Sequence, residues 1–362
     1  MKLCIFNASA LTQIGGIESH IGIVSKALAE KQIQVSIVSG KGQELNERSK
    51  KTNYFVFPYL KRQNAFNKFL SRIIPSPQIE SFSFWLFSFR HFLSNKYDVI
   101  HIHQPVDAFL FNFLKKFSKA KIVLSVHGFP TQFTKNQMKK CDKVIAVSSL
   151  TQNYLKQNHS IDSTVILNPI NVHLFKQKKH SDSSFILLAA GRLVEWKGHH
   201  FAIKAMPLIK KKIPNAKLVI VGEGEFEKAL KEEAKKLNLN GSIEFAGKLP
   251  KEKVRNFLSQ ADVFLQPSIA MEAMPLSLLE AQGAGMACIA SNLGGNKEII
   301  SNGVNGFLVA PQNEKVIAEK VILLFSDKKL KKRLETNARK NALKKFDLEK
   351  NIQKFIELFS SL

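Results

Sequence analysis

Short apolar runs alternate with amphipathic stretches along almost the whole chain, the pattern of a doubly wound parallel sheet. In the first half the apolar runs predict strands at Lys2–Phe6, Gln34–Val38, Asp98–His103, Lys121–Val126 and Lys143–Val147. Apolar residues at helical spacing predict a helix over Ile17–Lys31. A polar stretch, Lys176 to Ser184, breaks the rhythm, which resumes with strands at Phe185–Ala190, Lys217–Val221, Ser242–Phe245, Val263–Gln266 and Ala287–Ala290. A last helix is expected over Leu348–Phe359. The expected organisation is an α/β chain of two Rossmann-like units, at 1–168 and 185–346, joined by a linker at 169–184. The terminal helix within 347–362 is expected to pack back on the first unit. Two such units facing across a cleft would receive ligands at the carboxyl ends of their strands.

Bulk properties narrow the function. At 362 residues, 44% of them hydrophobic, the chain is long for one core and comfortable for two. Cys4, Cys141 and Cys288 are far apart in sequence, with neither metal-ligand spacing nor a disulfide framework, which suits a reducing compartment. The most apolar run, Phe82 to Phe89, is closed by Arg90 and is far short of the roughly 20 residues that span a bilayer. The amino-terminal run reads as a buried strand rather than a signal peptide. The expected location is cytoplasmic, with peripheral contact at the inner face of the cell membrane as an extension of that reading. The net charge of +25 is spread over both halves, +13 on residues 1–168 and +12 on the rest. No zinc finger, RNA-binding aromatic signature or basic zipper accompanies it, so nucleic acid is not the expected partner.

The chemistry concentrates in loops that follow strands. Glu272 and Glu280 flank Ala273-Met274-Pro275-Leu276, just after the strand Val263–Gln266. Pro275 as the first residue of a helix would leave backbone N–H groups open to a phosphate, and two acceptor-only carboxylates suit sugar and ribose hydroxyls. The plain alternative makes Glu280 a surface helix residue and Glu272 a loop charge. The surrounding loops favour the first reading. Gly191-Arg192-Leu193-Val194-Glu195-Trp196-Lys197-Gly198 follows an apolar strand, so that Arg192 and Lys197 could neutralise a diphosphate. Val221-Gly222-Glu223-Gly224, Gly294-Gly295-Asn296-Lys297-Glu298 and Gly303-Val304-Asn305-Gly306-Phe307 are further Gly-rich turns of the same sort.

These blocks, with FAGKLP and ADVFLQPS between them, resemble the nucleotide-binding domain of retaining GT-B glycosyltransferases of family four, the group 1 glycosyl transferases. The likeness runs from Phe185 to about Lys345. It is looser in the first half, at Gly15-Gly16-Ile17-Glu18, Asp98 to His103, Val126-His127-Gly128 and Val165 to Pro169. The resemblance implies a GT-B fold and transfer from a nucleotide diphosphate sugar, UDP- more often than GDP-, to a glycan or lipid-linked acceptor. It implies no cofactor and no metal. By the same resemblance Arg192 and Lys197 match the diphosphate clamp, Glu280 the ribose ligand and Glu272 the acid beside the transferred sugar. Gly16, with Gly15, matches a backbone donor to the distal phosphate, and His127 the histidine near the anomeric carbon. Gly222, Gly224 and the segment Glu272 to Glu280 complete the expected donor site. The chain departs from the pattern at Ala273, where many relatives have Gly and a positive φ would be strained, and at Met286-Ala287, Lys297 and Asn168-Pro169.

Two features stay open on sequence alone. His101 and His103 alternate on one strand and so face one side. With His127 they could suggest a metal, yet no carboxylate cluster sits beside them, and packing is the default for the first two. The stretch from Lys61 to His91 mixes Phe66, Phe69, Phe82, Phe84, Trp85, Phe87 and Phe89 with Arg62, Lys68, Arg72 and Arg90. Such a mixture suits an anionic bilayer, or else a core helix followed by an acceptor-pocket loop. Glu18, His103 and Trp85 are the expected acceptor contacts. A sugar-nucleotide epimerase and a non-catalytic nucleotide-sugar-binding protein at the membrane surface are the rival functions.

Overall fold

Seven strands of the first half and six of the second form two separate parallel sheets in a computed structural model, which describes residues 1–13, 15–42, 48–61, 64–72, 76–175 and 184–362. The expected linker's residues 176–183 lie outside the described residues, as do 62–63 and 73–75 of the aromatic stretch. The first sheet comprises β1 (Lys2–Phe6), β2 (Gln34–Gly40), β3 (Asn53–Phe57), β4 (Val99–Ile102), β5 (Lys121–Val126), β6 (Lys143–Ala146) and β7 (Thr164–Val165), in the order β3-β2-β1-β4-β5-β6-β7. The second comprises β8 (Phe185–Ala190), β9 (Ala216–Val221), β10 (Ile243–Gly247), β11 (Val263–Gln266), β12 (Ala287–Ser291) and β13 (Phe307–Val309), in the order β10-β9-β8-β11-β12-β13. The chain divides into one unit of Met1–Pro169 with Glu349–Leu362 and another of Ile170–Leu348.

The central strands are apolar without alternation because helices cover both faces of a parallel sheet. In β1, Leu3, Cys4, Ile5 and Phe6 are all fully buried. The strands that the apolar pattern does not predict are β3, β7 and β13, and each lies at a sheet edge or is only two or three residues long. An edge strand is covered on fewer sides, so β3 has no fully buried residue and its pattern is weak.

Register is pinned by a repeated device. Asp98, Asp142 and Asp262 each stand just before a strand and accept the backbone N–H at the start of its neighbour: Lys2 at 2.7 Å, Ile122 at 2.8 Å and Ile186 at 2.9 Å. A one-residue slip would lose each charge-assisted bond and turn the strand's buried set over.

Helix α1 (Gly16–Glu30) follows β1, and α2 (Ala65–Leu70) and α3 (Ser76–Ser94) follow β3. Helix α4 (Asp107–Leu114) follows β4. The helix Leu348–Ser360 belongs to the first unit, where Phe355 and Phe359 pack on the ring of His101. Asp107, in the first turn of α4, is buried against Ser81 of α3. Loss of water pushes its carboxyl up to about 7, against a smaller opposite effect of the Ser81 hydrogen bond. Its unfolded value is near 4. Between pH 4 and 7 the folded state therefore holds more protons at this group than the unfolded state, and this contribution to stability falls as pH rises. Asp107→Asn removes that slope. Denaturant titrations at pH 4.5, 6 and 7.5 should show the variant gaining on the parent as pH rises, and a constant difference would refute the shift.

Candidate functional site

Each sheet has one place where the strand order reverses, and loops leaving the carboxyl ends there open a crevice for ligands. In the second unit it lies between β8 and β11, where the predicted loops leave. The 191–198 loop leaves β8 and ends at Gly198, whose φ of +68° and close approach to the Pro267 carbonyl only glycine allows. Arg192 is exposed, its guanidinium 5.9 Å from the Trp196 ring, and the Lys197 ammonium lies 4.9 Å from the same ring.

The Lys197 ammonium is held by the Glu272 carboxylate, which leaves β11 on the other side of the switch point. Both side chains are largely buried. The second oxygen of Glu272 accepts from Gln266 Nε2 at 2.6 Å and from the Ser268 hydroxyl. Ser277 Oγ donates to Gln266 Oε1 at 3.1 Å. Gln266 and Ser268, both buried, are site residues that the sequence reading passed over. Their signal was a polar Gln ending an otherwise apolar strand and a Ser two residues beyond it.

The loop carrying Glu272 is supported from below. Gly295 donates its N–H to the Glu272 carbonyl at 2.6 Å, and a Cβ on Gly295 would lie 2.0 Å from the Ala273 carbonyl. The strain expected at Ala273 does not arise. Its φ is not positive, and the left-handed turn falls instead at Gly294, at +51°. The helix Leu276–Gly283 begins one residue later than expected, with Pro275 in the capping position and no side chain bonded to its first turn. Met274, Pro275 and Leu276 are buried, and Glu280 lies one turn in. Burial raises the Glu280 carboxyl, while the nearby Lys251 and Arg255 lower it. Those two cations come from the helix Lys251–Gln260, which offered no motif in the sequence.

Gly222 and Gly224 lie in the turn that follows β9. A Cβ on Gly222, at φ +142°, would lie 1.8 Å from the Gly191 carbonyl oxygen, and one on Gly224 2.3 Å from that of Leu193. The 222–224 turn packs directly on the 191–193 loop, joined by Leu193 N–H to Glu223 O at 2.9 Å. Packing therefore accounts for both glycines.

In the first unit the switch point lies between β1 and β4. Gly15 caps α1 in extended conformation, and a Cβ on Gly16 would meet nothing within 4 Å among the described residues. Packing does not account for Gly16. Glu18, in the first turn of α1, bonds the Ser9 hydroxyl. His20, His103 and His127 each offer a ring nitrogen within 4.8 Å of the others. His103 Nδ1 and His127 Nε2 lie 3.0 Å apart and hydrogen-bond to each other, and His101 Nε2 bonds Ser125 Oγ at 2.7 Å. Burial lowers His127 to about 4 and His101 to about 3, and drives His20 and His103 down as well, helped by the neighbouring rings. The group is neutral near pH 7, so it can donate or accept a hydrogen bond without adding charge. His20 came from the sequence only as a residue of the first helix. Trp85 does not join this group: its ring is buried in the core and packs on Phe89 and Phe113.

Two Rossmann-like parallel-sheet domains, each with loops gathered at its switch point, define an α/β fold of the GT-B type. Anabaena HepE in complex with UDP and glucose superposes over all of both chains at a TM-score of 0.81 with 20% identity. A sucrose-phosphate synthase from Thermosynechococcus elongatus gives 0.83 over 99% of this chain at 18%. The description "Glycosyl transferases group 1" matches residues 173–341, and "Glycosyltransferase Family 4" matches 14–174. The chain belongs to the group 1 glycosyltransferases. An uncharacterised glycosyltransferase of Methanocaldococcus jannaschii is 26% identical across all of this chain and 99% of its own. The UDP-Gal:alpha-D-GlcNAc-diphosphoundecaprenol alpha-1,3-galactosyltransferase of Escherichia coli is 28% identical over 73% of this chain and 75% of its own. No helix among the described residues is long and apolar enough to cross a membrane.

Proposed function

We propose that this glycosyltransferase moves a sugar from a UDP-sugar to a lipid-linked or glycan acceptor with retention of configuration, and that the β8–β11 switch point holds the donor. The observation that carries the reading is the buried Lys197–Glu272 pair at that point, followed by the helix Leu276–Gly283 with Glu280 one turn in. Such a site offers cations for a diphosphate, an open helix start and two carboxylates for hydroxyls.

Breaking the sugar–phosphate bond puts negative charge on the departing diphosphate. Arg192, Lys197 and the start of the helix Leu276–Gly283 stabilise that charge where it develops. Glu272 keeps Lys197 oriented before the donor arrives and accepts from sugar hydroxyls once it is bound, while Glu280 takes the ribose hydroxyls. In the first unit, Gly16 and the neutral His127 match the positions that the family resemblance assigns to the distal phosphate and the anomeric carbon. The departing phosphate oxygen accepts the proton of the attacking hydroxyl on the same face, so no protein base is required. The UDP preference draws on the donor in the Escherichia coli relative's name and the UDP bound to HepE. The lipid-linked acceptor draws on the same relative.

Thermal-shift titration tests the donor. A UDP-sugar should raise the melting temperature by mass action, and Glu280→Ala should weaken donor binding at least tenfold. Stabilisation by GDP-sugars alone would overturn the base, and no shift from any nucleotide sugar would overturn the site. Retention is read from the anomeric configuration of the product by NMR.

A further inference from the structure

Outside the switch points, the largest unexplained feature is an aromatic face built by α3 and α4. On α4 and the turn after it, Phe109, Phe113 and Phe117 recur at one-turn spacing and point outward, 63%, 44% and 60% exposed. Leu110, Phe111 and Leu114 take the core side. Helix α3 adds Phe82 and Leu86, each more than half exposed. The two helices join in one array: Trp85 lies 6.0 Å from Phe113, Phe89 lies 6.4 Å from Phe117, and Phe113 and Phe117 are 5.4 Å apart. Five large apolar side chains this exposed on adjacent helices form a patch of the kind that marks an interaction site.

The charge around the face selects the partner. From Ser81 to Tyr97 and from Ala108 to Lys121 the chain carries no carboxylate, but it carries Arg90, Lys96, Lys115, Lys116, Lys119 and Lys121. Lys115 is engaged with Asp142 at 2.7 Å. Lys116 and Lys119 are exposed, and the Lys116 ammonium lies 5.7 Å from the Phe113 ring centroid. A second copy of this chain would bring the same lysines against themselves, in a protein of net charge +25. A bilayer with anionic headgroups meets both needs: rings enter the headgroup–acyl boundary while lysines reach phosphates.

We propose that the outward face of α3 and α4 docks this protein on an anionic membrane, with Phe109, Phe113 and Phe117 inserted and Lys116 and Lys119 on the headgroups. The sequence pointed to the stretch from Lys61 to His91. The structure moves the centre of the face to α4, whose rings had no place in that reading. The inference extends the transfer reading by naming where a lipid-linked acceptor is met. Because docking is measured with no nucleotide sugar present, either idea can fail alone.

Co-sedimentation of the full chain with phosphatidylcholine vesicles, with and without about 30% phosphatidylglycerol, tests it. The parent should bind the anionic vesicles at least tenfold more tightly than the neutral ones. Phe109→Ser/Phe117→Ser should lose at least tenfold of that binding with an unchanged melting temperature, since both rings are exposed. Lys116→Ser/Lys119→Ser should lose more than Lys328→Ser/Lys332→Ser, which removes equal charge from the second unit. Equal losses from the two lysine pairs would show attraction by net charge alone and overturn the assignment. So would full binding by the phenylalanine variant, or a parent dimer in gel filtration that the phenylalanine variant abolishes.

Discussion

Lys197→Ala lowers sugar transfer at least tenfold, about 1.4 kcal/mol of barrier, and we expect the larger part of the loss in kcat rather than in donor KM. Charge on the departing diphosphate is greatest in the transition state, so a cation facing it contributes more there than in the bound ground state. The substitution also strips Glu272 of its cation and leaves a largely buried carboxylate held only by Gln266 and Ser268. A carboxylate so placed has lost its charge partner while staying largely out of water, which is destabilising. Glu272→Gln in the Lys197→Ala background therefore restores stability without restoring transfer, and the two activity losses do not add. Initial rates at saturating acceptor, with melting curves for all four proteins, separate the two effects. Parent-rate transfer by Lys197→Ala would remove it from the diphosphate site.

Gly222→Ala destabilises the second unit by about 3 kcal/mol or more, through backbone contact and not through any ligand. The added methyl would meet the Gly191 carbonyl oxygen at 1.8 Å and its carbon at 2.9 Å, at a φ of +142° that alanine avoids. No flexible side chain can give way, so the loops after β8 and β9 must part. Because Arg192 and Lys197 ride on the first of these loops, activity falls with stability. Gly16→Ala is the counterpart. Its Cβ meets nothing within 4 Å among the described residues, so the melting temperature holds while donor stabilisation declines. Calorimetry of both variants with and without UDP-sugar makes the comparison. A Gly222→Ala protein that melts with the parent would show that the loops yield, and a Gly16→Ala protein with full donor response would leave that glycine without a role.

The two variants also mark what could be read from the residues. Strands buried on both faces announce themselves as apolar runs, and β1, β5, β8 and β11 fall on the expected residues. The short or edge strands β3, β7 and β13 carry no such run. Loops that follow strands were legible because glycine and charge stand out against apolar neighbours, which is how Arg192, Lys197, Glu272 and Glu280 surfaced. Why a glycine is needed was not legible. Gly16 and Gly222 look alike in sequence, and the positive φ of Gly222 and the carbonyl beside it separate them. Lys251 and Arg255 reach Glu280 from a helix that carries no local motif. The aromatic face was half visible. The rings of α3 are dense in sequence, whereas those of α4 are spaced among core residues and gain meaning only when the two helices lie side by side.

The return of the helix Leu348–Ser360 to the first unit has a consequence for the order in which the molecule comes into being. Phe355 and Phe359 close over His101, on the strand that also carries His103. All of the second unit lies between that strand and that helix along the chain. During synthesis the amino-terminal half therefore waits, its sheet uncovered beside the histidines, while the later half emerges and can complete its own core. The unit made first is the one finished last.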